Sequence, residues 1–304
     1  MGKHKSGFVT VVGRPNAGKS TLINSLLGEK IAITSPKPQT TRNNMRAIIT
    51  EKDYQIIFID TPGIHKPKNK LGEFMVQSAS STFNEVDVVM YLYDATNKEI
   101  SQSDINIVEN IKAAKNSKRK VFLVITKMDL VPKEQALGII SKMTELMEFD
   151  EIIPISAVKK DGTDVILKLL VDALPEGPCY FPEDIPTDAT LREITREIIR
   201  EKILFFTNDE VPHGVGIEIV QFKEPDRRGR AYTIEANIYC EKNTHKSILI
   251  GKDGAMLKRI GTAARRDIEK YTDGKVNLKL WVKVKSDWRN SPSMLKELGF
   301  RNDK

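Results

Sequence analysis

A glycine-rich loop that carries a lysine and a serine follows the apolar run Phe8–Val12. The loop reads Gly-Arg-Pro-Asn-Ala-Gly-Lys-Ser over residues 13–20, and a helix is predicted over Lys19–Leu27. This pattern is typical of a phosphate-binding loop (P-loop), because its backbone N–H groups and the positive helix end attract phosphate. Lys19 would reach the β- and γ-phosphate oxygens, and the Ser20 hydroxyl would bind Mg²⁺. The loop predicts a nucleoside triphosphate but does not select the base.

A second candidate loop, Asp-Thr-Pro-Gly over residues 60–63, follows the predicted strand Gln55–Ile59. In P-loop switch proteins, an Asp at this place holds Mg²⁺ through water and the Gly N–H contacts the γ-phosphate. An isolated Asp-x-x-Gly is usually only a turn. Its position about 40 residues after the P-loop, at the end of a buried strand, favours the functional interpretation.

The base is indicated by Thr-Lys-Met-Asp over residues 126–129, after the predicted strand Val121–Ile125. The Asp129 carboxylate can accept two hydrogen bonds from guanine, whereas adenine would leave it unpaired, at a cost of roughly 1–3 kcal/mol. The Lys127 stem can cover the ring. Ile-Ser-Ala over residues 155–157 can add a backbone N–H to the guanine oxygen. The three loops together predict GTP.

These motifs resemble the translation-factor-like GTPases. That family usually has Asn where this sequence has Thr126, but a hydroxyl can also bond to the neighbouring loop, so guanine preference should persist. Gln-Thr-Thr-Arg-Asn over residues 39–43 resembles the family's switch I, whose Thr closes on Mg²⁺ only when the γ-phosphate is present. Thr41 is the predicted ligand, and Thr40 is the alternative. Residues 64–70 are predicted to be a mobile switch II.

Two further residues bear on hydrolysis. Ile64 stands where Ras-like enzymes place a Gln that orients water, so we expect slow intrinsic turnover assisted by a partner, a cation or backbone groups. Asn16 resembles the P-loop Asn of GTPases that bind K⁺, although a structural capping role is an equal alternative. The predicted catalytic residues are Lys19, Thr41 and Gly63, and the predicted Mg²⁺ ligands are Ser20, Thr41 and Asp60. The predicted GTP contacts are Gly13, Arg14, Pro15, Asn16, Ala17, Gly18, Lys19, Ser20, Thr21, Asp60, Thr61, Pro62, Gly63, Ile64, Thr126, Lys127, Met128, Asp129, Ser156 and Ala157.

The elements that position these loops alternate between apolar strands and amphipathic helices from about residue 7 to 173. Such alternation indicates a mostly parallel, doubly wound α/β sheet, whose ligands bind beyond the carboxyl ends of the strands. Strands are predicted at Phe8–Val12, Arg46–Thr50, Gln55–Ile59, Val86–Tyr93, Val121–Ile125 and Ile152–Ile155. Helices are predicted at Lys19–Leu27, Leu71–Phe83, Ser101–Ala114, Lys133–Met147 and Val165–Leu170.

A segment with four prolines, Leu174–Pro186, interrupts this pattern and predicts a linker. Beyond it, the order helix, strand, strand, helix, helix, strand indicates a smaller α+β domain. Its helices are predicted at Leu191–Phe206, Thr244–Ile250 and Ala255–Tyr271, and its strands at Gly214–Phe222, Ala231–Cys240 and Val276–Val284.

The second domain contains Gly-Lys-Asp-Gly over residues 251–254, between two predicted helices. This pattern is the GXXG loop of a KH domain, which clamps about four nucleotides of single-stranded RNA. A lone GXXG is weak, and a plain break between helices is the alternative, but the flanking apolar and basic residues favour RNA. The predicted RNA contacts are Ile248, Ile250, Gly251, Lys252, Asp253, Gly254, Lys258, Arg259, Arg265 and Arg266.

Charge supports a polyanion partner for this domain. Between Lys242 and Arg289 there are 13 Lys and Arg against 5 Asp and Glu, whereas the whole chain carries +7. Such concentration is expected of a nucleic-acid-binding module, with a solvated surface or an anionic lipid contact as alternatives. Trp281 is predicted to be core because its strand alternates, whereas Trp288 and Arg289 leave packing and base stacking open.

The cellular setting follows from composition. The two cysteines, Cys179 and Cys240, form no metal or redox spacing, which indicates reduced thiols in the cytosol. The sequence contains no apolar run of roughly 20 residues and no apolar signal-peptide region near the first residue. A cytoplasmic protein is therefore expected.

Taken over nearly its whole length, the chain resembles the Era family of bacterial Ras-like GTPases, through these motifs and the closing Leu-Trp-Val-Lys-Val-Lys over residues 280–285. The resemblance implies a G domain followed by a type II KH domain that binds the 3′ end of 16S rRNA. It implies GTP, GDP and Mg²⁺ binding, rRNA maturation, assembly of the 30S ribosomal subunit, peripheral membrane contact and a monomeric state. The expected boundaries are 5–173 for the G domain, 174–190 for the linker, 191–285 for the KH domain and 286–304 for the tail.

Two other function classes are alternatives to an RNA-binding GTPase. A membrane-associated regulatory GTPase linked to cell-cycle control would place the basic face on anionic lipid. An enzyme that chemically modifies tRNA lacks support, because the sequence shows no catalytic cysteine motif and no second cofactor site.

Overall fold

The chain divides into two compact units, with the main boundary between Asp188 and Ala189. The computed structural model describes residues 4–34, 37, 40–63, 67–208, 211–227 and 230–300. Within these ranges, no helix combines the length and apolar character needed to cross a membrane.

The first unit is built on a six-stranded sheet in the order β2-β3-β1-β4-β5-β6. Only β2 runs antiparallel to its neighbour, so the predicted mostly parallel α/β domain is confirmed. Its strands are β1 (Lys5–Gly13), β2 (Met45–Glu51), β3 (Tyr54–Asp60), β4 (Val88–Asp94), β5 (Lys120–Thr126) and β6 (Glu151–Pro154). Its helices are α1 (Lys19–Leu27), α2 (Lys70–Ser81), α3 (Gln102–Ala114), α4 (Glu134–Leu146) and α5 (Thr163–Ala173).

The central strands are buried on both faces, as their continuous Val, Ile and Leu runs require. In β4 and β5, every residue is buried except Asp94 and Lys120 respectively. One side of the sheet packs Tyr91 and Leu123 against Ile107 of α3. This packing fixes the strand ends, so the loops after β1, β3, β4, β5 and β6 emerge at one edge.

The proline-rich segment forms neither helix nor strand, yet it lies along the first unit. The Gln55 side chain donates to the Phe181 carbonyl at 2.8 Å and accepts from the Tyr180 N–H at 2.7 Å. The Tyr180 ring packs on Phe8 with centroids 5.1 Å apart. The Thr187 hydroxyl donates to the Arg46 carbonyl at 2.6 Å. The segment is therefore an ordered part of the first unit.

The second unit contains a three-stranded sheet in the order β7-β8-β9, antiparallel and then parallel. Even-numbered residues of β8 and β9 pack against α6, α7 and α8 in one core that includes Ile199, Ile238 and Ile260. The predicted element order is observed, and a short helix, α9, is added near the end. The elements are α6 (Leu191–Phe206), β7 (Gly216–Lys223), β8 (Tyr232–Cys240), α7 (Asn243–Ile250), α8 (Ala255–Thr272), β9 (Val276–Val284) and α9 (Pro292–Glu297).

Candidate nucleotide site and nucleic-acid groove

Lys19 is buried at the start of α1, directly after the P-loop, with 7% of its surface exposed. Its ammonium donates to the carbonyls of Gly13 at 3.1 Å and Arg14 at 2.9 Å. Burial lowers the pKa of Lys19 to about 8, and the nearby Asp60 carboxylate opposes that shift. A desolvated cation that, among the described residues, donates to neutral carbonyls is well suited to meet a phosphate.

Three side chains from separate segments of the chain meet at the end of β3. Asp60 Oδ2 accepts hydrogen bonds from the Ser20 hydroxyl at 2.9 Å and the Thr41 hydroxyl at 3.1 Å. The two hydroxyl oxygens lie 3.2 Å apart. The Thr40 hydroxyl instead donates to the Lys37 carbonyl at 2.7 Å. The structure thus brings together the three residues predicted to bind Mg²⁺, with Thr41 rather than Thr40 at the carboxylate.

The Asp60 carboxylate shows that this cluster fits a cation. Burial raises the pKa of Asp60, while Lys19 and the two hydroxyls lower it. Its second oxygen, Oδ1, is buried and finds no hydrogen-bond partner among the described residues. Hydroxyl and carboxylate oxygens are ligands that Mg²⁺ prefers. Ser20, Thr41 and Asp60 would hold Mg²⁺, which when bound offsets negative charge on the phosphates.

The loop after β3 lies directly against the P-loop. Thr61 is fully buried, and its hydroxyl donates to the Val11 carbonyl at 2.7 Å, which fixes the loop on β1. A Cβ atom on Gly63 would lie 2.9 Å from the Pro15 backbone nitrogen, so only glycine allows this approach. The next residue, Ile64, lies outside the described residues, as does Gln39 of the predicted switch I.

The loops predicted to read guanine are joined by hydrogen bonds. The Thr126 hydroxyl bonds to the Ala17 carbonyl of the P-loop at 2.8 Å. The Met128 N–H donates to the Ile155 carbonyl at 3.0 Å. The Ser156 hydroxyl donates to Asp129 Oδ1 at 2.6 Å and lowers the pKa of that carboxyl. Asp129 is therefore held as an ionised acceptor.

The GXXG loop between α7 and α8 has the backbone that its glycines allow. Gly251 and Gly254 have φ values of 73° and 76°, which favour glycine. A Cβ atom on Gly251 would lie 2.9 Å from the Met256 nitrogen, whereas one on Gly254 would meet nothing within 4 Å. Lys252 and Asp253 between them are exposed. The loop thus offers an open backbone surface at Gly254.

A groove of about 380 Å³ lies beside this loop, between α8 and β9. Lys258 and Arg265 line it, whereas Arg259 stacks over the Phe206 ring at 4.2 Å on another side of α8. Arg266, seven residues after Arg259, shares that side and is exposed. Of the predicted basic residues on α8, the groove therefore contains two. Its other lining residues are Gly254, Leu257, Gly261, Thr262, Leu278 and Leu280.

Comparisons with known proteins agree with both types of domain. A family model described as 50S ribosome-binding GTPase matches residues 8–127, and a KH domain model matches residues 210–289. GTPase Era of Ruminiclostridium cellulolyticum is 55% identical over 301 residues, which cover 99% of each chain. GTPase Era of Clostridium novyi is 53% identical over 98% of this chain and 99% of its own. This chain belongs to the Era family of GTPases.

Solved Era structures share the fold. A crystal structure of Era with MgGDPNP and nucleotides 1506–1542 of 16S ribosomal RNA has a TM-score of 0.92 and 40% identity, covering 98% of this chain and 99% of its own. A variant of Aquifex aeolicus Era bound to GDP and AlF₄⁻ also has a TM-score of 0.92 and 40% identity, covering 97% and 99%. The predicted order of a GTPase domain and a KH domain is confirmed.

Two acidic residues in this Era-family G domain escaped the sequence analysis. Asp94 ends β4, and its Oδ2 lies 2.6 Å from the Lys127 ammonium. Asp104 of α3 accepts from the Arg14 guanidinium at 3.3 Å and from the Tyr91 hydroxyl at 3.0 Å. The Arg14 side chain thus connects the P-loop to α3. The position of Asp94 could have indicated a functional residue, because Asp94 stands at the carboxyl end of β4, a parallel strand next to β5.

The prediction for Trp281 was wrong, and of the two alternatives left open for Trp288 the structure shows packing. Trp281, predicted to be core, is 42% exposed, because β9 turns its even-numbered residues toward the helices. Trp288 is fully buried, and its indole N–H donates to the Gly214 carbonyl at 2.9 Å. Arg289 pairs with Glu241, with Nε 3.1 Å from Oε1. Trp288 and Arg289 are therefore packing residues of the KH domain.

Asn16 of the P-loop has an unusual backbone conformation. It has a φ of 66°, a left-handed conformation that Asn tolerates better than most residues other than glycine. The N-cap of α1 is Gly18. The exposed Asn16 side chain sits at the loop surface. Its backbone conformation gives Asn a structural reason to occupy this position, independent of any cation.

Proposed function

We propose that this Era-family GTPase is a GTP- and GDP-dependent switch that binds the 3′ region of 16S rRNA through its KH groove. It acts in rRNA processing and in assembly of the 30S ribosomal subunit. The observation that carries the proposal is the groove beside the GXXG loop, where Lys258 and Arg265 flank an apolar floor that includes Leu278 and Leu280.

The chemistry of the groove fits single-stranded RNA. Lysine and arginine contact phosphates, and apolar side chains contact unstacked bases. The open backbone at Gly254 lets the sugar-phosphate chain approach closely. The related Era structure that contains nucleotides 1506–1542 of 16S rRNA supports the same partner here, because the relationship extends over 98% of this chain.

The switch function rests on the cluster at Asp60. Thr41 belongs to the segment that resembles switch I, and its hydroxyl already bonds to the carboxylate that would hold Mg²⁺ through water. Lys19 would stabilise the β- and γ-phosphates and Asp129 would select guanine. We infer that the γ-phosphate orders the Thr41 segment and thereby changes RNA affinity, which requires different affinities in the GTP and GDP forms.

We further propose that K⁺ assists hydrolysis through Asn16. The Ile64 side chain can supply no hydrogen bond to water, so hydrolysis needs help from another group, and a cation near the phosphates can stabilise the transition state. Turnover measured with K⁺ replaced by Na⁺ tests this idea. A fall in turnover supports it, and equal rates contradict it.

The RNA proposal is tested with a matched pair of charge reversals on α8. Arg265→Glu changes a groove residue, whereas Arg266→Glu makes the same change one residue later on an exposed side. Crosslinking in cells followed by sequencing of bound RNA should show 16S rRNA ends with the wild type and with Arg266→Glu. With Arg265→Glu, recovery of the 16S rRNA ends should fall by about tenfold or more, because a phosphate contact is lost and its charge is reversed.

Two outcomes contradict the proposal. One is equal RNA recovery with both variants. The other is that the basic face binds liposomes rather than RNA, which would favour the membrane-associated regulatory GTPase. Coupling is tested separately, by measuring RNA affinity in the presence of GDP and of a nonhydrolysable GTP analogue. Identical affinities would show that the nucleotide does not control RNA binding.

A further inference from the structure

Ser25 of α1 contacts a loop that no sequence motif connects with this helix. Its hydroxyl donates to the Ala157 carbonyl at 2.9 Å, in a partly buried position. Ala157 belongs to residues 155–157, which are predicted to offer a backbone N–H to the guanine oxygen. The two residues are 132 positions apart in the sequence, so only the folded chain reveals their contact.

The loop that carries Ala157 folds back on itself between β6 and α5. The Ser156 N–H donates to the Asp161 carbonyl at 3.0 Å, and the Asp161 N–H donates to the Ser156 carbonyl at 3.0 Å. The Lys159 N–H donates to the Ser156 hydroxyl at 3.2 Å. Ser156 is therefore held at its N–H, its carbonyl and its side chain.

Ala157 is held at its carbonyl, by the Ser25 hydroxyl. Its own N–H donates to none of the residues that the structure describes. A trans peptide points each N–H away from the preceding carbonyl, so the bond between the Ser156 carbonyl and Asp161 turns the Ala157 N–H away from Asp161. Ser25 fixes the peptide on the other side of the Ala157 Cα. The Ala157 N–H is thus oriented from both sides and is available to a ligand.

α1 contacts both loops that are predicted to read the base. Near its start, the Thr126 hydroxyl donates to the Ala17 carbonyl at 2.8 Å, and a Cβ atom on Gly18 would lie 3.8 Å from that hydroxyl. Ser25 follows Gly18 by seven residues, about two helical turns, and so lies on the same side of the helix. The helix that begins at the phosphate-binding Lys19 therefore also supports the loops for the base.

The other predicted guanine contact has a separate support. Asp129 Oδ1 accepts from the Ser156 hydroxyl at 2.6 Å, and the Met128 N–H donates to the Ile155 carbonyl at 3.0 Å. Neither bond involves Ser25. Asp129 should accept from the N1–H and 2-amino group of guanine, whereas the Ala157 N–H should donate to the 6-oxygen. Base analogues that change one of these positions can therefore separate the two contacts.

We propose that Ser25 is a positioning residue for guanine recognition, whose hydroxyl orients the Ala157 peptide so that the Ala157 N–H meets the 6-oxygen of GTP or GDP. Ser25 acts through Ala157 rather than on the nucleotide. A donor that is oriented before binding strengthens the complex, because no conformational entropy is lost in ordering it. This inference rests on the proposed reading of guanine by Ala157 and adds the side chain that holds Ala157 in place.

The test measures the affinities of GDP, 6-thio-GDP and IDP for the full-length wild type and the Ser25→Ala variant by calorimetric titration. 6-Thio-GDP carries sulfur, a weaker hydrogen-bond acceptor than oxygen, where the Ala157 N–H should bind. IDP lacks the 2-amino group that should donate to Asp129. Ser25→Ala removes one hydroxyl and introduces a strong helix former, so α1 should stay folded. Ser141→Ala, at an exposed position of α4, is the matched control.

The wild type should prefer GDP to 6-thio-GDP by about 3- to 10-fold, as one hydrogen bond of ordinary strength would give. In Ser25→Ala, GDP affinity should fall by about 2- to 10-fold, and the preference for GDP over 6-thio-GDP should fall below about half of its wild-type value. The preference for GDP over IDP should stay at the wild-type value, because Asp129 keeps its own support. Ser141→Ala should match the wild type with all three nucleotides.

The contradictory results differ in meaning. An equal loss of affinity for all three nucleotides in Ser25→Ala would overturn the inference, because Ser25 would then stabilise the site without orienting Ala157. Unchanged affinities would overturn it as well. Equal binding of GDP and 6-thio-GDP by the wild type would overturn the assignment of the Ala157 N–H to the 6-oxygen, and the role of Ser25 with it. RNA binding is tested separately by Arg265→Glu and is unaffected by any of these results.

Discussion

The Thr126 hydroxyl bonds to the Ala17 carbonyl at 2.8 Å and lies 3.3 Å from the Tyr93 carbonyl. This contact ties the end of β5 to the P-loop. Related GTPases usually have Asn at the position of Thr126. The shorter hydroxyl makes the contact to the neighbouring loop that the sequence led us to expect. Thr126 is 2% exposed, so its partners have no water to replace a lost bond.

Thr126→Val removes this hydroxyl while keeping the shape of the side chain. We expect GDP to dissociate about 5- to 100-fold faster, because an unpaired buried carbonyl costs roughly 1–3 kcal/mol. Stopped-flow dissociation of a fluorescent GDP analogue measures the effect. Thr126→Ser keeps the hydroxyl and should stay near the wild-type rate. Unchanged dissociation in Thr126→Val would show that the contact does not support the nucleotide site.

Asp129→Asn should change base specificity. The Ser156 hydroxyl holds Asp129 as an acceptor for the N1–H and amino group of guanine. An Asn amide presents a donor at that place, which matches the C2 oxygen of xanthine instead. We expect GDP affinity to fall by more than about tenfold while XDP affinity rises.

Calorimetric titration of the Asp129→Asn variant with GDP and XDP measures this change. Asp164→Asn, on the first turn of α5, is a suitable control for the loss of one carboxylate. A variant that keeps its preference for GDP would contradict the assignment of Asp129.

Nucleotide binding should take up a proton at alkaline pH. Burial lowers the pKa of Lys19 to about 8, and a bound polyphosphate would raise it again. Near pH 7, Lys19 is protonated both with and without nucleotide, so it exchanges no proton. Above about pH 8, the ligand-free form has lost its proton and the bound form regains it. Affinity should therefore fall as pH rises through this window.

Calorimetry in two buffers that differ in ionisation enthalpy counts these protons. The count assigned to Lys19 should be near zero at about pH 7 and approach roughly one half or more at about pH 8.5. Lys19→Arg, which stays charged throughout, should show no such increase. The same count at both pH values in the wild type would contradict the depressed pKa.

The nucleotide site was largely predictable because parallel strands bring their carboxyl ends to one edge of a sheet. Local motifs singled out Ser20, Thr41 and Asp60 on three separate segments, and the sheet brought their oxygens together. Asp94 follows the same rule but belongs to no motif, so it was missed. Its role depends on the reach of Lys127 from the neighbouring strand, which is a tertiary relationship.

The KH domain was less predictable in detail than in outline. The GXXG loop and the element order are local signals. Trp281 is exposed because of which face of β9 meets the helices, and Trp288 is buried because of how the segment around α9 packs. Likewise, the contact of Arg259 with Phe206 depends on how α6 and α8 pack. Charge and spacing along α8 alone could not separate Arg259 from Lys258.

The two glycines of the GXXG loop should respond differently to substitution. Gly254 lies in the left-handed helical region (φ 76°, ψ 8°), where Ala carries strain of about 1–2 kcal/mol. Gly251 (φ 73°, ψ 177°) lies in a region that essentially only glycine adopts, where the strain is about 1–3 kcal/mol. At Gly251 the new methyl group would also lie 2.7 Å from the Met256 Cβ and 2.9 Å from its nitrogen. Gly251→Ala should therefore destabilise the KH domain more than Gly254→Ala does, which urea unfolding would measure.

RNA binding should separate the two glycine positions in a second way. The methyl group of Gly254→Ala would project into open space at the groove, where the RNA backbone is expected to approach. We expect Gly254→Ala to fold stably but to lose RNA affinity by about tenfold, as a displaced phosphate contact would cause. Fluorescence anisotropy with labelled RNA measures the loss. Gly138→Ala, on α4 of the first unit with open space around the added methyl group, is the control. Wild-type affinity in Gly254→Ala would show that the RNA backbone does not pass over this glycine.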